Sequence, residues 1–194
     1  MNKGEKMVRT AVLLALFIVT LLVTNCRRIS PDSISEVVLK ENSGLGRTDF
    51  TVEFHRDGRA QCRCLFFWLS KEPESNLNTF CGRLLSRSRS SFTKTPESFD
   101  SSQFRLEGIF TGQVSKEQFD QLAKLIVENG YFSMKDEYID REIMDAPPTM
   151  TRVVYPGGAK EIRNQLGKGG KRLSDIEGAI SKAAEEIEWK GSQD

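Results

Sequence analysis

The residues that could do chemistry in this chain are few. His55 is the single histidine, and an imidazole can act as a general base or change its charge near neutral pH. A group of carboxylates further along the chain could supply an acid partner. Together with His55, they would give the chemistry of a hydrolase-type enzyme. These carboxylates are Asp136, Glu137, Asp140, Glu142 and Asp145.

Local motifs favour a simpler interpretation of both features. No Ser or Cys nucleophile with a fixed motif such as G-x-S-x-G accompanies His55, and no H-E-x-x-H pair is present. The carboxylates have neither the spacing nor the central Gly of a calcium-binding EF-hand loop. The sequence therefore predicts a His55 exposed on a strand, a charged surface loop over 136–145, no catalytic residue and no cofactor. Hydrolase chemistry with His55 and these carboxylates stays as the alternative.

The four cysteines suggest disulfide chemistry more than a metal site. Three thiols and one imidazole could complete a zinc site, but the C-x-C spacing of Cys62 and Cys64 has no matching second pair, so no metal is predicted. In an oxidising compartment, Cys81 could bond to either Cys64 or Cys62. A bond between Cys62 and Cys64 is less favourable, because residues two apart on one strand face lie too far apart for an unstrained bridge.

The N-terminal segment carries the signs of export. Lys3, Lys6 and Arg9 precede an uncharged run over 11–24 that contains no Gly or Pro. This run suits the apolar part of an export signal and is shorter than the roughly 20 residues of a spanning helix. The peptide Val23-Thr24-Asn25-Cys26 resembles a lipobox, with Cys26 as the lipidation site, although Asn25 stands where a small residue is usual. Lipid anchoring, an uncleaved membrane anchor and free secretion all remain open, as does a buried core helix.

Charge argues against nucleic acid as a partner. Without the leader's three basic residues and one acid, the chain has 25 basic against 26 acidic residues, so no net field attracts phosphates. The stretch GKGGKR (167–172) lacks the full spacing of a phosphate-binding loop, so it is interpreted as a loop leading into a helix. The stretch RLLSRSRSSFTK (83–94) has few aromatic residues for stacking on bases, so it is interpreted as a solvated loop. Membrane contact through the N-terminus is expected, and a protein partner is left open.

Residue patterns predict the elements that hold these groups. FTVEFHRDG (50–58) alternates apolar and polar residues and ends in the hairpin signal Asp57-Gly58, with a return strand over 59–68 that points Cys62 and Cys64 inward. A helix over 115–130 starts at a Ser115/Gln118 capping box and ends at Gly130. A second hairpin surrounds Pro156-Gly157-Gly158. The last helix is predicted to run from a Ser174/Glu177 capping box to about Trp189.

This order predicts an α+β fold, a mostly antiparallel sheet with two helices packed on one face. The domain boundaries are an export signal or anchor at 1–26, a short linker at 27–33, a single α+β domain at 34–189 and a tail at 190–194. The domain carries a Ser-rich and charged loop insertion at about 69–102. A strand over 104–112 is expected to kink or bulge at Gly108, and 136–149 is expected to be irregular.

Several stretches in this order resemble an uncharacterised domain family of bacterial envelope proteins and lipoproteins, a domain of unknown function. They include FTVEFHRDG, FTGQVSKEQFDQLAKLIVENGYF, DEYIDREIMDAPPTMTRVVY and GGAKEIRNQ. The resemblance implies an α+β fold and an envelope location, and it implies no catalytic residue. We therefore expect a membrane-anchored or exported envelope protein that acts as a non-enzymatic binding or structural module.

Overall fold

The computed structural model describes residues 29–42, 48–69, 80–81, 84, 103–143 and 146–191. The leader predicted over 1–26, with the lipidation site Cys26, lies outside the described residues, and so does most of the insertion predicted at about 69–102. Within the described ranges, no helix is long and apolar enough to cross a membrane.

Two helices and a mostly antiparallel sheet make up the described part of the chain, which confirms the α+β class. The helices are α1 (Lys116–Glu128) and α2 (Gly170–Glu186). The strands are β1 (Glu36–Asn42), β2 (Thr48–His55), β3 (Arg59–Leu69), β4 (Gln103–Gln113), β5 (Glu137–Tyr138), β6 (Thr149–Tyr155), β7 (Gly158–Asn164) and β8 (Lys190–Gly191). The sheet order is β5-β7-β6-β1-β2-β3-β4-β8, and only β5 and β7 run parallel.

Both predicted hairpins are present. Gly58, with φ of 94°, closes the turn between β2 and β3, where its N–H donates to the carbonyl of His55 at 3.0 Å. Gly158 has φ of 132° at the start of β7. Glycine suits both positions because a Cβ atom disfavours positive φ.

The core follows the apolar alternation of the strands. The register pairs Val37 with Phe54 and Val153, so these side chains lie on one face of the sheet. That face and both helices contribute to a single buried cluster. Each helix buries one apolar stripe in this cluster. The buried helix residues are Phe119, Leu122, Ala123 and Ile126 of α1, and Leu173, Ile176, Ile180, Ala183 and Ala184 of α2.

The capping prediction holds for one helix and is wrong for the other. Ser115 and Gln118 form the predicted reciprocal capping box at α1. Helix α2 starts at Gly170, four residues before the Ser174 that the pattern selects. The N–H of Gly169, the residue before this start, donates to Asn164 Oδ1 at 2.8 Å. Glu177 faces Asn164 instead of capping the helix.

Three smaller differences concern the sheet. Strand β4 pairs with β3 without interruption, and Gly108 lies opposite Cys64 with no bulge. The segment predicted as irregular contains the short strand β5, which adds to the edge of β7. Residues 190–191, assigned to a tail by the sequence, pair with β4 as β8. Each difference arises from backbone pairing between distant residues, which local patterns do not report.

Hydrogen bonds from Arg56 link the start of the domain to α1. Its Nε and Nη2 each donate at 2.6 Å, to the carbonyls of Ile34 and Pro31, and its Nη1 donates to Asp120 Oδ1 at 2.8 Å. The guanidinium also lies 4.9 Å from the ring centroid of Phe119. The guanidinium spreads its donors over three nitrogens, so it reaches three separated acceptors that the single nitrogen of a lysine does not.

Candidate functional site

An open groove of about 490 Å³ lies at the β5–β7 end of the sheet. Aromatic side chains form one side of it, and charged side chains of both signs form the rest. We call it the β7-edge groove. Its lining comprises Phe132, Asp136, Glu137, Tyr155, Ala159, Lys160, Glu161 and Arg163.

The end of α1 places the first aromatic side chain. Gly130, with φ of 71°, ends the helical segment in the left-handed conformation, and the chain turns toward the sheet. Tyr131 is fully buried there, and its hydroxyl donates to the carbonyl of Thr151 at 2.6 Å. Burial raises the pKa of this phenol well above its usual range. With Tyr131 fixed in the core, Phe132 is held edge-to-face against it, with ring centroids 5.6 Å apart.

The hairpin between β6 and β7 places the second aromatic side chain. Tyr155 packs edge-to-face on Phe132, with ring centroids 5.2 Å apart. Its ring folds back over the turn, where a Cβ atom at Gly157 would come within 2.8 Å of Tyr155 Cε2. The small residue in this turn therefore lets the tyrosine reach Phe132.

The charged side of the groove is paired internally but retains an excess of negative charge. Lys160 Nζ contacts Asp136 Oδ1 at 2.6 Å. Arg163 is shared by two carboxylates, Glu137 at 3.5 Å and Glu161 at 3.2 Å. Three acids against two bases leave a net charge of −1, so the groove favours a neutral or cationic ligand.

Two consecutive buried amides at the end of β7 hold the surrounding segments in place. Gln165 is 3% exposed; its Nε2 donates to the carbonyls of Ile143 and Ala146, and its Oε1 accepts the N–H of Asp140 at 2.6 Å. Asn164, equally buried, binds Gly169 and Glu177. These amides fix the segment that follows β5 and the start of α2.

Glu177 and Glu41 form a half-buried acidic pair between α2 and the sheet. Burial raises the pKa of Glu177 to about 7; the hydrogen bond from Asn164 opposes this rise, and the charge of Glu41 adds to it. Burial also raises the pKa of Glu41, against a hydrogen bond from Ser181 that lowers it. No local pattern links these two residues, because they are far apart in the chain.

His55 lies away from the carboxylates with which it was paired as a hypothesis. Its Nδ1 is 3.5 Å from Glu36 Oε2, and its Nε2 is 4.0 Å from Glu53 Oε2. Arg152 binds the same Glu36 at 3.2 Å. The strand of His55, β2, is separated from β5 by β1, β6 and β7. The structure therefore does not bring His55 together with Asp136 or Glu137.

Three carboxylates of the 136–145 segment form ion pairs with basic side chains. Asp136 binds Lys160, Glu137 binds Arg163, and Asp140 binds Lys168 of the Gly-rich loop. Asp145 lies outside the described residues. In the part of the chain that the structure describes, no group of three or more His, Cys, Asp and Glu residues is arranged to hold a metal ion.

The cysteines come together in a second, smaller core cluster. Cys64 and Cys81 form a disulfide with a Cα–Cα distance of 5.5 Å, one of the two pairings that the sequence left open. Cys62 is a free, fully buried thiol whose sulfur lies 3.7 Å from that of Cys64. Burial raises the pKa of the Cys62 thiol to about 12, so it is a poor nucleophile at neutral pH.

Sequence reasoning did not identify the β7-edge groove or the amides beside it. A local signal exists in Tyr155, which directly precedes the Pro-Gly-Gly turn and is thereby placed at the end of its strand. Asn164 and Gln165 break the strand alternation, since two adjacent polar residues are both buried. The pairing of β5 with β7, which completes the groove, has no local signal.

A family model matches part of the chain. No curated protein and no solved structure matches this chain. Residues 97–184, which include α1, the β7-edge groove and most of α2, match the model of a family described as a domain of unknown function (DUF6438).

Proposed function

We propose that this chain is an exported protein of a bacterial cell envelope, and that its folded domain is a non-enzymatic binding module. The N-terminal segment would hold it at the membrane, through lipid on Cys26 or as an uncleaved anchor. The domain would then face the periplasm or the exterior. The β7-edge groove is the proposed ligand site.

The groove is the observation that carries the binding role. It combines a recess of about 490 Å³ with an aromatic pair whose positions are fixed by the core and by a hairpin turn. Ligand sites are typically concave, with apolar walls and a few placed polar groups. His55, which would carry a hydrolase-type reaction, lies on β2, separated from β5 by three strands, and its ring nitrogens lie near Glu36 and Glu53.

Two observations support the location. The apolar run over 11–24 follows a basic start, as in export signals. The disulfide between Cys64 and Cys81 suits an oxidising compartment.

We also infer that both helices cover the same face of the sheet. Their buried side chains belong to one cluster with Val37, Val153 and Phe54, which share a sheet face. Covering one face in this way leaves the edge at β7 accessible for binding.

Membrane fractionation followed by intact-mass measurement tests the location. We expect the protein in the membrane fraction, with lipid on Cys26 or an intact leader, and with one disulfide. A wholly cytosolic protein with four reduced thiols would contradict the proposal. The Cys26→Ser variant should lose the membrane association if lipid provides it, and should keep it if the helix does.

Fluorine NMR tests the ligand site. The chain has three tyrosines, so 3-fluorotyrosine gives three signals: Tyr155 in the groove, Tyr138 on β5 and Tyr131 in the core. The labelled full chain in detergent is titrated with fractionated envelope extract. We expect a shift of the Tyr155 signal with no change at Tyr131. If no fraction moves Tyr155, the groove is not the ligand site.

A further inference from the structure

We propose that the β7-edge groove takes an extended polypeptide segment of another protein, which adds as a strand to the open edge of β7. The segment carries basic side chains on either side of an apolar or aromatic one. This inference rests on the proposed binding role and names the ligand class.

The hydrogen-bond ladder shows which backbone groups face the open edge. The N–H of Arg163 donates outward to the carbonyl of Asp136, and that of Gln165 donates to the carbonyl of Tyr138. In an antiparallel pair, bonding groups alternate between the two sides of a strand. Ala159 and Glu161 therefore present their N–H and C=O groups on the same outer side as Arg163.

Strand β5 covers only part of that edge. It pairs Glu137 with Arg163 and Tyr138 with Asn164, and these two pairs are the full length of the strand. Across the described ranges, the outward backbone groups of Ala159 and Glu161 have no hydrogen-bond partner. An exposed edge of this kind can accept a further strand. Four backbone groups next to the groove are thus available to a ligand main chain.

The two faces of β7 would contact different side chains of the added strand. Lys160 points to the same face as Val153, where Phe132 and Tyr155 stack. Its ammonium is already bound by Asp136, and its side chain is only 15% exposed. A ligand residue opposite Lys160 therefore meets aromatic rings and an aliphatic stem, and an apolar or aromatic side chain fits there.

The other face carries the excess negative charge. Glu161 and Glu137 compete for the single Arg163, and these side chains are all at least 38% exposed. The ligand residues on this face are those opposite Ala159 and Glu161, one position to each side of the apolar residue. Basic side chains there complement the second carboxylate.

A second copy of this chain fits the edge poorly. Antiparallel self-pairing about the middle of the open edge would place Lys160 opposite Lys160 of the other copy, with Cα atoms about 4.5 Å apart. Each Lys160 is already paired with Asp136 of its own copy, so self-pairing places a second ion pair where the aromatic rings and the aliphatic stem fit an apolar side chain. A different chain, with an apolar residue at that position, fits better.

Capped pentapeptides with a central Lys-Phe-Lys test the proposal by titration against the fluorotyrosine-labelled full chain. We expect saturable shifts of Tyr155, with Tyr131 unmoved. Three control peptides separate the contributions: Lys-Lys-Phe has the same composition without alternation, Glu-Phe-Glu reverses the charge, and an N-methylated Lys-Phe-Lys keeps the side chains but cannot donate main-chain hydrogen bonds. Each control should bind at least about tenfold more weakly.

A protein variant gives the matching test. Ala159→Pro removes an outward N–H without removing a β6–β7 ladder bond, and proline is tolerated on the open side of an edge strand. We expect about tenfold weaker peptide binding with an unchanged Tyr131 signal. Glu161→Gln should weaken Lys-Phe-Lys and strengthen Glu-Phe-Glu.

The outcomes separate this proposal from the binding role itself. Equal binding of the N-methylated and unmodified peptides would overturn strand addition, because side chains alone would then explain the affinity. If envelope extract moves Tyr155 but Lys-Phe-Lys does not, the groove is a ligand site of another class and the peptide inference is wrong. If neither moves Tyr155, both proposals fail.

Discussion

The side-chain amide of Asn164 donates to Glu177 Oε2 at 2.8 Å, across the junction between the end of β7 and helix α2. Asn164 Oδ1 accepts the N–H of Gly169 at the same distance. One buried amide therefore fixes the start of α2 and holds a carboxyl group in a half-buried position. The acid cannot be fully solvated there, which is why burial raises its pKa to about 7.

The raised pKa of Glu177 predicts a pH-dependent stability. Between its ordinary pKa of 4.5 and about 7, the folded state binds more protons than the unfolded state, so the free energy of unfolding falls as pH rises through this range. Allowing for solvent screening of a half-buried group, we expect a loss of roughly 1–2 kcal/mol. Urea unfolding at pH 4.5 and pH 8 measures it.

Glu177→Gln should flatten this profile and should make the protein more stable than the wild type at pH 8. The exposed Glu188→Gln is the matched control and should leave the profile unchanged. A profile that stays steep in Glu177→Gln would assign the dependence to another group, with Glu41 the first candidate because burial raises its pKa too.

Gln165→Leu is expected to loosen the segment between β5 and β6. The substitution leaves the carbonyls of Ile143 and Ala146 and the N–H of Asp140 without their side-chain partner. Buried polar groups without partners cost about 1–3 kcal/mol each, and partial solvation reduces the total to roughly 2–4 kcal/mol. Hydrogen exchange should speed up over 138–143 while α1 stays protected. Gln121→Leu, on the exposed side of α1, should change stability by less than about 0.5 kcal/mol.

Arg56→Lys should destabilise the domain by roughly 2 kcal/mol, because an ammonium cannot reach Ile34, Pro31 and Asp120 together. Arg59→Lys is its control: Arg59 also binds an aspartate, Asp57, but its side chain is 73% exposed, so its loss should cost less than about 0.5 kcal/mol. Thermal unfolding compares the two. Equal losses would show that the buried carbonyl contacts of Arg56 contribute nothing.

Cys81→Ser should lower the free energy of unfolding by about 3 kcal/mol, since the disulfide closes a loop with a sequence separation of 17. A reductant should lower the wild-type melting temperature and leave that of Cys81→Ser unchanged.

Cys62 should resist alkylation in the native protein and react once urea unfolds it, because its thiol is buried and its pKa is high. Rapid native labelling of Cys62 would contradict the buried cluster.

Sequence alone determined the features that depend on neighbouring residues. The alternation in β2, the Asp57-Gly58 turn and the Ser115/Gln118 box are local, because side-chain periodicity and a capping hydrogen bond involve residues one to four apart. The α+β class followed from their order. The inward position of Cys62 and Cys64 followed from the period of a strand.

Tertiary structure decided everything that depends on residues far apart in the chain. Helix α2 starts at Gly170, ahead of the local Ser174/Glu177 pattern, and Glu177 instead binds Asn164 at the end of β7, 13 residues away. Cys81 bonds to Cys64 and not to Cys62, and this choice depends on which of the two sulfurs the tertiary structure places beside Cys81. The β7-edge groove exists because β5 returns to pair with β7 and because the core holds Tyr131 beside Phe132. Such long-range pairings are set by the packing of the whole domain, and no short window of sequence encodes them.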